Sequence, residues 1–287
     1  MSKNGLVLEG GAMRGIFSAG IMDVLLEHEI RFDGIIGVSA GAAFGCNYKS
    51  HQTGRVIRYN KRFCKDKRFC SWQSLWKTGD LFGADFCYRE LPDELDLFDR
   101  AAFENDPTEF YLVCTDVRTG KARYQRCDKV DADCFQWMRA SASMPLVSRI
   151  VEVGGGMYLD GAIADSIPLR FFESIGYEKN VVILTQPAGF LKKPSRAMWL
   201  VRAALRKYPE LVRVLQKRHE HYNETLQYID QQVQNGKVLL LQPDSPLPLG
   251  RICHDPEKLQ RAYEIGREKA NGQLDAIKNF LAQYWAQ

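Results

Sequence analysis

Residues 4–41 read NGLVLEGGAMRGIFSAGIMDVLLEHEIRFDGIIGVSAG, and this stretch decides the fold. Asn4 to Glu9 carries the apolar run Leu6-Val7-Leu8 and predicts a short buried strand. A glycine-rich turn follows, Gly10 to Gly15. Phe17, Ile21, Val24, Leu25 and His28 then recur at helical spacing, which predicts a helix over Ile16 to Glu29. Phe32 to Gly37 contains Ile35-Ile36 and predicts a second buried strand. It runs directly into Val38-Ser39-Ala40-Gly41 and a row of small residues ending at Cys46. Strand, turn, helix, strand, turn, helix is the signature of an α/β protein. It implies a mainly parallel central sheet with helices on both faces.

The same patterns extend outward. Strands are expected at Phe110 to Asp116, Ile150 to Val153, Met157 to Leu159, Val181 to Thr185 and Val238 to Leu241. Arg118-Thr119-Gly120-Lys121 is a turn signal, so Thr115 to Gln125 predicts a hairpin. Residues 51–108 are irregular and aromatic-rich and read as a helix and loops covering the sheet. Beyond Thr185, Pro187 and Pro194 bracket a loop. Arg196 to Val233 then predicts helix broken near Pro209, and Pro256 to Tyr284 a final helix. A core unit over 5–175 is expected, with 176–287 adding the last strands and a helical C-terminal extension packed on the same domain.

The 287 residues are 45% apolar and 26% charged, which excludes a disordered or fibrous chain. A net charge of +4 is too mild to argue for nucleic acid, and none is expected as a partner. The N-terminus lacks a signal-peptide pattern. The uncharged stretch Gly34 to Tyr48 has 15 residues, short of the ~18 of a membrane span. A cytoplasmic protein is expected. None of the eight cysteines forms a Cys-x-x-Cys pair, so reduced thiols are expected, with Cys46 and Cys114 in apolar runs as core residues.

Gly37-Val38-Ser39-Ala40-Gly41 fits Gly-x-Ser-x-Gly. A serine on a tight strand-to-helix turn points its hydroxyl away from the sheet, and glycines on either side relieve the turn. A close-packed structural turn would need the same small residues. Upstream, Gly10-Gly11-Ala12-Met13-Arg14-Gly15 sits at the carboxyl end of the neighbouring strand, where successive N–H groups can hold an oxyanion and Arg14 adds charge. A nucleotide loop would require Gly-Lys-Ser/Thr where Gly15-Ile16-Phe17 stands. A dinucleotide fingerprint would require glycine at Ala12 and an acid where Gly37 closes the second strand. A serine nucleophile also needs a base. His28, His51, His219, His221 and His254 all sit in contexts that read as surface. Asp160, followed by Gly161-Ala162 at a strand end, is the better candidate, although Asp-Gly is also a common turn pair. Asp116, at another strand end, is the reserve.

Taken together, Gly-Gly-Ala-Met-Arg-Gly, Gly-Val-Ser-Ala-Gly and Asp-Gly-Ala resemble the three motifs of the patatin-like phospholipase family. Ala140-Ser141-Ala142-Ser143-Met144-Pro145 resembles the segment leading to that family's acid. The resemblance covers about residues 5–175 and extends to bacterial members with a helical C-terminal extension. It implies a Ser39–Asp160 dyad without a catalytic histidine, metal or cofactor. It also implies an oxyanion hole within Gly10 to Gly15, an elbow flanked by Gly37 and Gly41, and an acid turn through Gly161 and Ala162. The expected substrate is a lipid or acyl ester, cleaved through an acyl-Ser39 intermediate. Two alternatives remain: an α/β-hydrolase triad using His219, His221 or His254, and a non-catalytic lipid-binding module of the same fold. The third glycine of the family's first motif is Ala12 here; if that position needs positive φ, alanine costs about 1 kcal/mol.

Two stretches bear on lipid contact. Trp72, Trp76, Leu81, Phe82 and Phe86 fit either an apolar entrance or a core layer. Residues 191–218 hold nine Lys or Arg against one Glu, with Met198, Trp199, Leu200 and Leu205 among them. That pattern fits either a solvated helix face or an amphipathic segment touching an anionic membrane.

Overall fold

The computed structural model describes residues 3–282. Eight strands form one sheet: β1 (Lys3–Leu8), β2 (Gly34–Val38), β3 (Glu109–Asp116), β4 (Ala122–Arg126), β5 (Val151–Val153), β6 (Gly156–Asp160), β7 (Tyr177–Ile183) and β8 (Val238–Leu241). Their hydrogen-bonded order is β5-β6-β3-β2-β1-β7-β8, with β4 also paired to β3. β1, β2, β3, β7 and β8 run parallel, while β4 and β6 run antiparallel to β3.

The parallel strands are apolar on both sides because both faces are covered. Side chains alternate across a strand, and the chain uses that alternation strictly. Leu6, Leu8, Ile35, Leu112, Val181, Ile183 and Leu241 enter one apolar layer. Val7, Ile36, Val113, Val182 and Val238 enter the other. On the first face lie α1 (Gly15–Glu27), α2 (Ala40–Lys49), α3 (Arg55–Phe63) and α6 (Ala132–Ser141). α10 (Pro256–Gly272) joins them by packing on α1, where the Tyr263 hydroxyl donates to Asp23 at 2.7 Å. On the second face lie α7 (Leu169–Ser174) and α9 (Pro209–Gln234).

β4 pairs with Tyr111 to Thr115 of β3, β2 with Glu109 to Val113 and β6 with Cys114 to Asp116. A residue offers only one partner per strand edge, so β2 and β6 share the edge opposite β4. There β2 ends with Val38 opposite Val113, and β6, arriving from the other direction, ends with Asp160 opposite Cys114. Two strand ends therefore abut on adjacent residues of β3.

Most expected elements are present, with two corrections. Residues 51–108 are more ordered than a helix and loops: besides α3 they hold α4 (Trp72–Thr78), a wide helical turn at Phe86–Leu95, and α5 (Arg100–Asn105). Local caps account for this, since the Ser71 hydroxyl accepts from Ser74 N–H and the Asp99 carboxylate from Ala102 N–H. The final helix is two helices, α10 and α11 (Leu274–Ala282), because Gly272, a poor helix former, ends the first. Tyr284 lies outside the described residues. α8 (Met198–Ala204) and α9 separate ahead of Pro209, as expected.

The C-terminal half is tied to the sheet by a buried polar group. Glu9 follows β1 and is 3% exposed. Its carboxylate accepts from Thr185 N–H at 2.6 Å, the Thr185 hydroxyl at 3.0 Å and the Tyr222 hydroxyl of α9 at 2.6 Å. Tyr222→Phe leaves that carboxylate short of one donor. It is expected to cost about 1–3 kcal/mol in denaturant unfolding; an unchanged midpoint would show that Glu9 does not anchor α9.

Candidate active site

Ser39 occupies the junction of β2 and α2 with φ 56° and ψ −121°. This left-handed backbone stores about 1–3 kcal/mol of strain in a non-glycine residue and persists only when its surroundings enforce it. Two contacts do so. Ser39 N–H donates to Ser141 Oγ at 3.0 Å, and that hydroxyl donates to the Val113 carbonyl at 2.7 Å. At Gly41 a Cβ would fall 2.5 Å from the Leu8 carbonyl oxygen, so α2 begins this close to β1 only because that residue has no side chain.

Asp160 is 1% exposed. One carboxylate oxygen accepts from Ala162 N–H at 2.8 Å, the turn bond that its sequence context predicts. The Ser39 hydroxyl also lies close enough to favour the ionised carboxylate, and Arg218 and Arg251 do so from farther away. Burial opposes all of these and is the largest influence, so the Asp160 pKa is raised. The structure thus brings Ser39 and Asp160 together from positions far apart in the chain.

The glycine turn divides its N–H groups. Met13 N–H donates to the Arg251 carbonyl at 3.3 Å, Arg14 N–H to the Gly11 carbonyl at 3.2 Å, and Gly15 N–H closes the short turn on Ala12 and Met13. Among the described residues, the N–H groups of Gly10, Gly11 and Ala12 have no acceptor. Gly10 touches Ser39: a Cβ there would lie 2.9 Å from Ser39 Cβ. Ala12 has φ 50°, so the alanine in that place carries the backbone cost anticipated above. The Arg14 guanidinium is partly buried, and its Nε has no partner.

An apolar cavity opens from Ala12, Met13 and Ser39. Its far walls come from Phe69, Phe82, Leu91, Phe98 and Met138. Residues 55–98, read from the sequence as cover with an aromatic stretch fitting either an entrance or a core layer, supply much of the cavity's lining, Phe82 among them. The aromatic stretch splits: Leu81 and Phe86 are buried core, while Trp72 and Trp76 are 71% and 86% exposed and belong to no core layer.

The other candidates lie elsewhere. Asp116 accepts from the N–H groups of Arg118 and Thr119 and from the Thr119 hydroxyl, which makes it the cap of the β3–β4 turn. His51 pairs with Asp106, His219 Nδ1 faces the Gln216 carbonyl and His254 Nδ1 the Cys64 carbonyl, while His28 and His221 are exposed. Among the described residues, no histidine lines the cavity. Sequence reasoning missed Glu9, Ser141 as a support, Lys192, Arg218 and Arg251. Of these only Glu9, a charge ending an apolar run beside the glycine turn, had a legible signal.

Residues 6–172 match the family described as Patatin-like phospholipase, more than half of the chain. The chain belongs to the patatin-like phospholipase family. That family is one of lipid acyl hydrolases, as several patatin-like relatives' names also indicate. Residues 208–282 match a second pattern, a domain of unknown function (DUF6363). The uncharacterized protein YjjU of Escherichia coli (strain K12) is 28% identical over 91% of this chain and 74% of its own length. Lysophospholipase nte1 of Aspergillus niger is 28% identical over 60% of this chain and 11% of its own. The putative patatin-like phospholipase domain-containing protein M110.7 of Caenorhabditis elegans is 26% identical over 62% and 16%. The chain thus spans a small part of the two larger patatin-like relatives. Among solved structures, VipD from Legionella pneumophila overlays with a TM-score of 0.48 at 12% identity, over 96% of this chain and 67% of that one.

Proposed function

We propose that this protein is a serine lipid acyl hydrolase working through a Ser39–Asp160 dyad. The observation that carries the reading is the abutment of β2 and β6, which sets the strained Ser39 hydroxyl against a buried carboxylate of raised pKa. A carboxylate is a weak base at its usual pKa of ~3.9, and burial makes it a better one. Asp160 takes the hydroxyl proton as Ser39 Oγ bonds to the ester carbonyl carbon. The free N–H groups of Gly10, Gly11 and Ala12 receive the developing oxyanion, and the Arg14 charge lies nearby. The C–O bond to the alcohol breaks, and Asp160 returns the proton to that alcohol. Water then gives a proton to Asp160 and attacks the acyl-Ser39 carbonyl; the carboxylic acid leaves and Ser39 regains its proton. The apolar cavity takes the acyl chain.

A fluorophosphonate probe tests this directly. The wild-type protein is expected to be labelled, and Ser39→Ala and Asp160→Asn not. Labelling that survives in folded Ser39→Ala would sink the proposal.

Peripheral contact with anionic membrane belongs to the same reading. Trp72, Trp76 and Trp199 are each more than two-thirds exposed, and seven of the nine cations in residues 191–218 face solvent. Exposed tryptophans and basic residues together suit an anionic interface. Vesicles containing phosphatidylglycerol are expected to bind the protein at low salt and release it at high salt. Trp76→Ala should weaken binding several-fold. Absence of binding to such vesicles at low salt would reject the contact.

A further inference from the structure

Four cations cluster near the dyad acid and the glycine turn, and three come from the part of the chain that the phospholipase match does not cover. Arg14 follows the glycine turn. Lys192 lies in the loop after β7, Arg218 on α9 and Arg251 in the loop before α10. They are near one another: Lys192 feels Arg218, Arg251 and Arg14, and Arg218 feels Arg251 and Asp160. Arg218 and Lys192 are held through their side chains and Arg251 through its backbone. Arg218 Nε donates to the Ala162 carbonyl, two residues beyond the dyad acid. The Arg251 carbonyl holds Met13 N–H, beside Arg14. The Lys192 ammonium lies 4.0 Å above the Tyr222 ring.

Among the described residues none of the four has a carboxylate within 4.0 Å. The two acids in range are already engaged. Glu9 is taken by Thr185 and Tyr222, and Asp160 by Ala162 and Ser39. The crowding has a measurable mark. Burial first, then Arg218, Arg251 and Arg14, brings the Lys192 pKa down to about 7 against the opposing pull of Glu9. A cluster of cations that the chain does not neutralise is complementary to an external anion, and arginine forks suit phosphate oxygens in particular.

We propose that Arg14, Lys192, Arg218 and Arg251 form a subsite for a phosphate group carried by the ester substrate, so that residues beyond the phospholipase match, two of them in the domain of unknown function, help to select phosphate-bearing lipids. This rests on the hydrolase reading above. It also reassigns the two ends of the basic stretch 191–218: Lys192 and Arg218 are half-buried members of the cluster, while the seven cations between them face solvent.

Two substrates with the same short acyl chain, kept monomeric, test it: a 1-acylglycerol 3-phosphate and the corresponding 1-acylglycerol. The double variant Lys192→Gln/Arg251→Gln is expected to lower the ratio of their kcat/KM values by about tenfold or more. Lys258→Gln, at an exposed position of α10, matches the single charge lost in Arg251→Gln, and with Lys278→Gln added it matches the double variant; neither should change the ratio. Arg251→Gln alone, at an exposed side chain, gives a smaller fall should the double variant fold poorly. A ratio unchanged in the double variant, or lowered equally by Lys258→Gln/Lys278→Gln, overturns the proposal. Inorganic phosphate should compete with the phosphate-bearing substrate alone. Equal action on both substrates would make this a free-ion site and overturn the assignment to the substrate.

A binding arm separates this from failure of the hydrolase reading. Ser39→Ala protein should bind glycerol 3-phosphate in a calorimeter and take up protons near pH 7, as the incoming anion raises the Lys192 pKa toward its ordinary value. Both signals should be lost when Lys192→Gln/Arg251→Gln is added. Binding by Ser39→Ala without turnover by the wild type would discard the hydrolase and keep the subsite; no binding would discard the subsite.

Discussion

Ser39→Ala lowers ester hydrolysis by about 10⁴-fold or more, and Asp160→Asn by a comparable amount, with the double variant little worse than either. Non-additivity follows because the two side chains serve one proton transfer. The variants part company in stability. Burial raises the Asp160 pKa above its ordinary value of 3.8, so the folded chain keeps this proton at pH values where the unfolded chain has released it. Such a group costs the fold nothing below the unfolded value. The cost grows as pH rises through the window between the two values and is complete above the folded one. Asparagine removes the charge while its side-chain oxygen can still accept from Ala162 N–H. Asp160→Asn is therefore expected to melt higher than wild type at pH 7, with the gain vanishing toward pH 3.5. A lower melting temperature at pH 7 would mean that the carboxylate is a structural anchor rather than a strained functional group.

Gly161→Ala is expected to cost about 3 kcal/mol or more and to lower the melting temperature by about 5–10 °C, while also reducing turnover. A Cβ on this residue would stand 2.1 Å from the Val113 carbonyl oxygen, far inside contact distance and against main chain that cannot rotate away. That same oxygen accepts the Ser141 hydroxyl, which in turn holds Ser39 N–H. One methyl group thus displaces the acid directly and the serine through two hydrogen bonds. A Gly161→Ala protein with wild-type melting and kcat/KM would show that the β6 end is softer than its packing implies.

The parallel sheet was legible because its signals are local. Leu6-Val7-Leu8 and Ile35-Ile36 announce strands buried on both faces, and Gly37 to Gly41 announces a turn needing small residues. Ser39 and Asp160 stood out as candidates for the same reason, each at a strand end within two residues of glycine. What the sequence hid is what depends on distance. Nothing local tells that Trp72 and Trp76 face outward while Phe86, on the same aromatic stretch, is core. Nor does it tell that Lys192 and Arg218 are half-buried beside Glu9 and Arg251 while Arg206 and Lys207 are exposed. Those choices follow from how whole helices dock, α4 in the first case and α9 with its preceding loop in the second, which no short window of sequence encodes. Asp116, the reserve candidate, shows the opposite: a carboxylate at a strand end, it holds the hairpin turn through one of its oxygens.

The meeting of β2 and β6 on one edge of β3 makes the spacing of the reactive pair a matter of counting peptide units. Side-chain changes along β6 can be absorbed by repacking, but a slip of one residue cannot. It would carry Asp160 about 3.4 Å along the edge and turn its carboxylate to the opposite face. Insertions and deletions within Gly156–Leu159 should therefore be more damaging than most replacements there. Proofreading of this site lies in the hydrogen-bond ladder, which admits whole-number errors only.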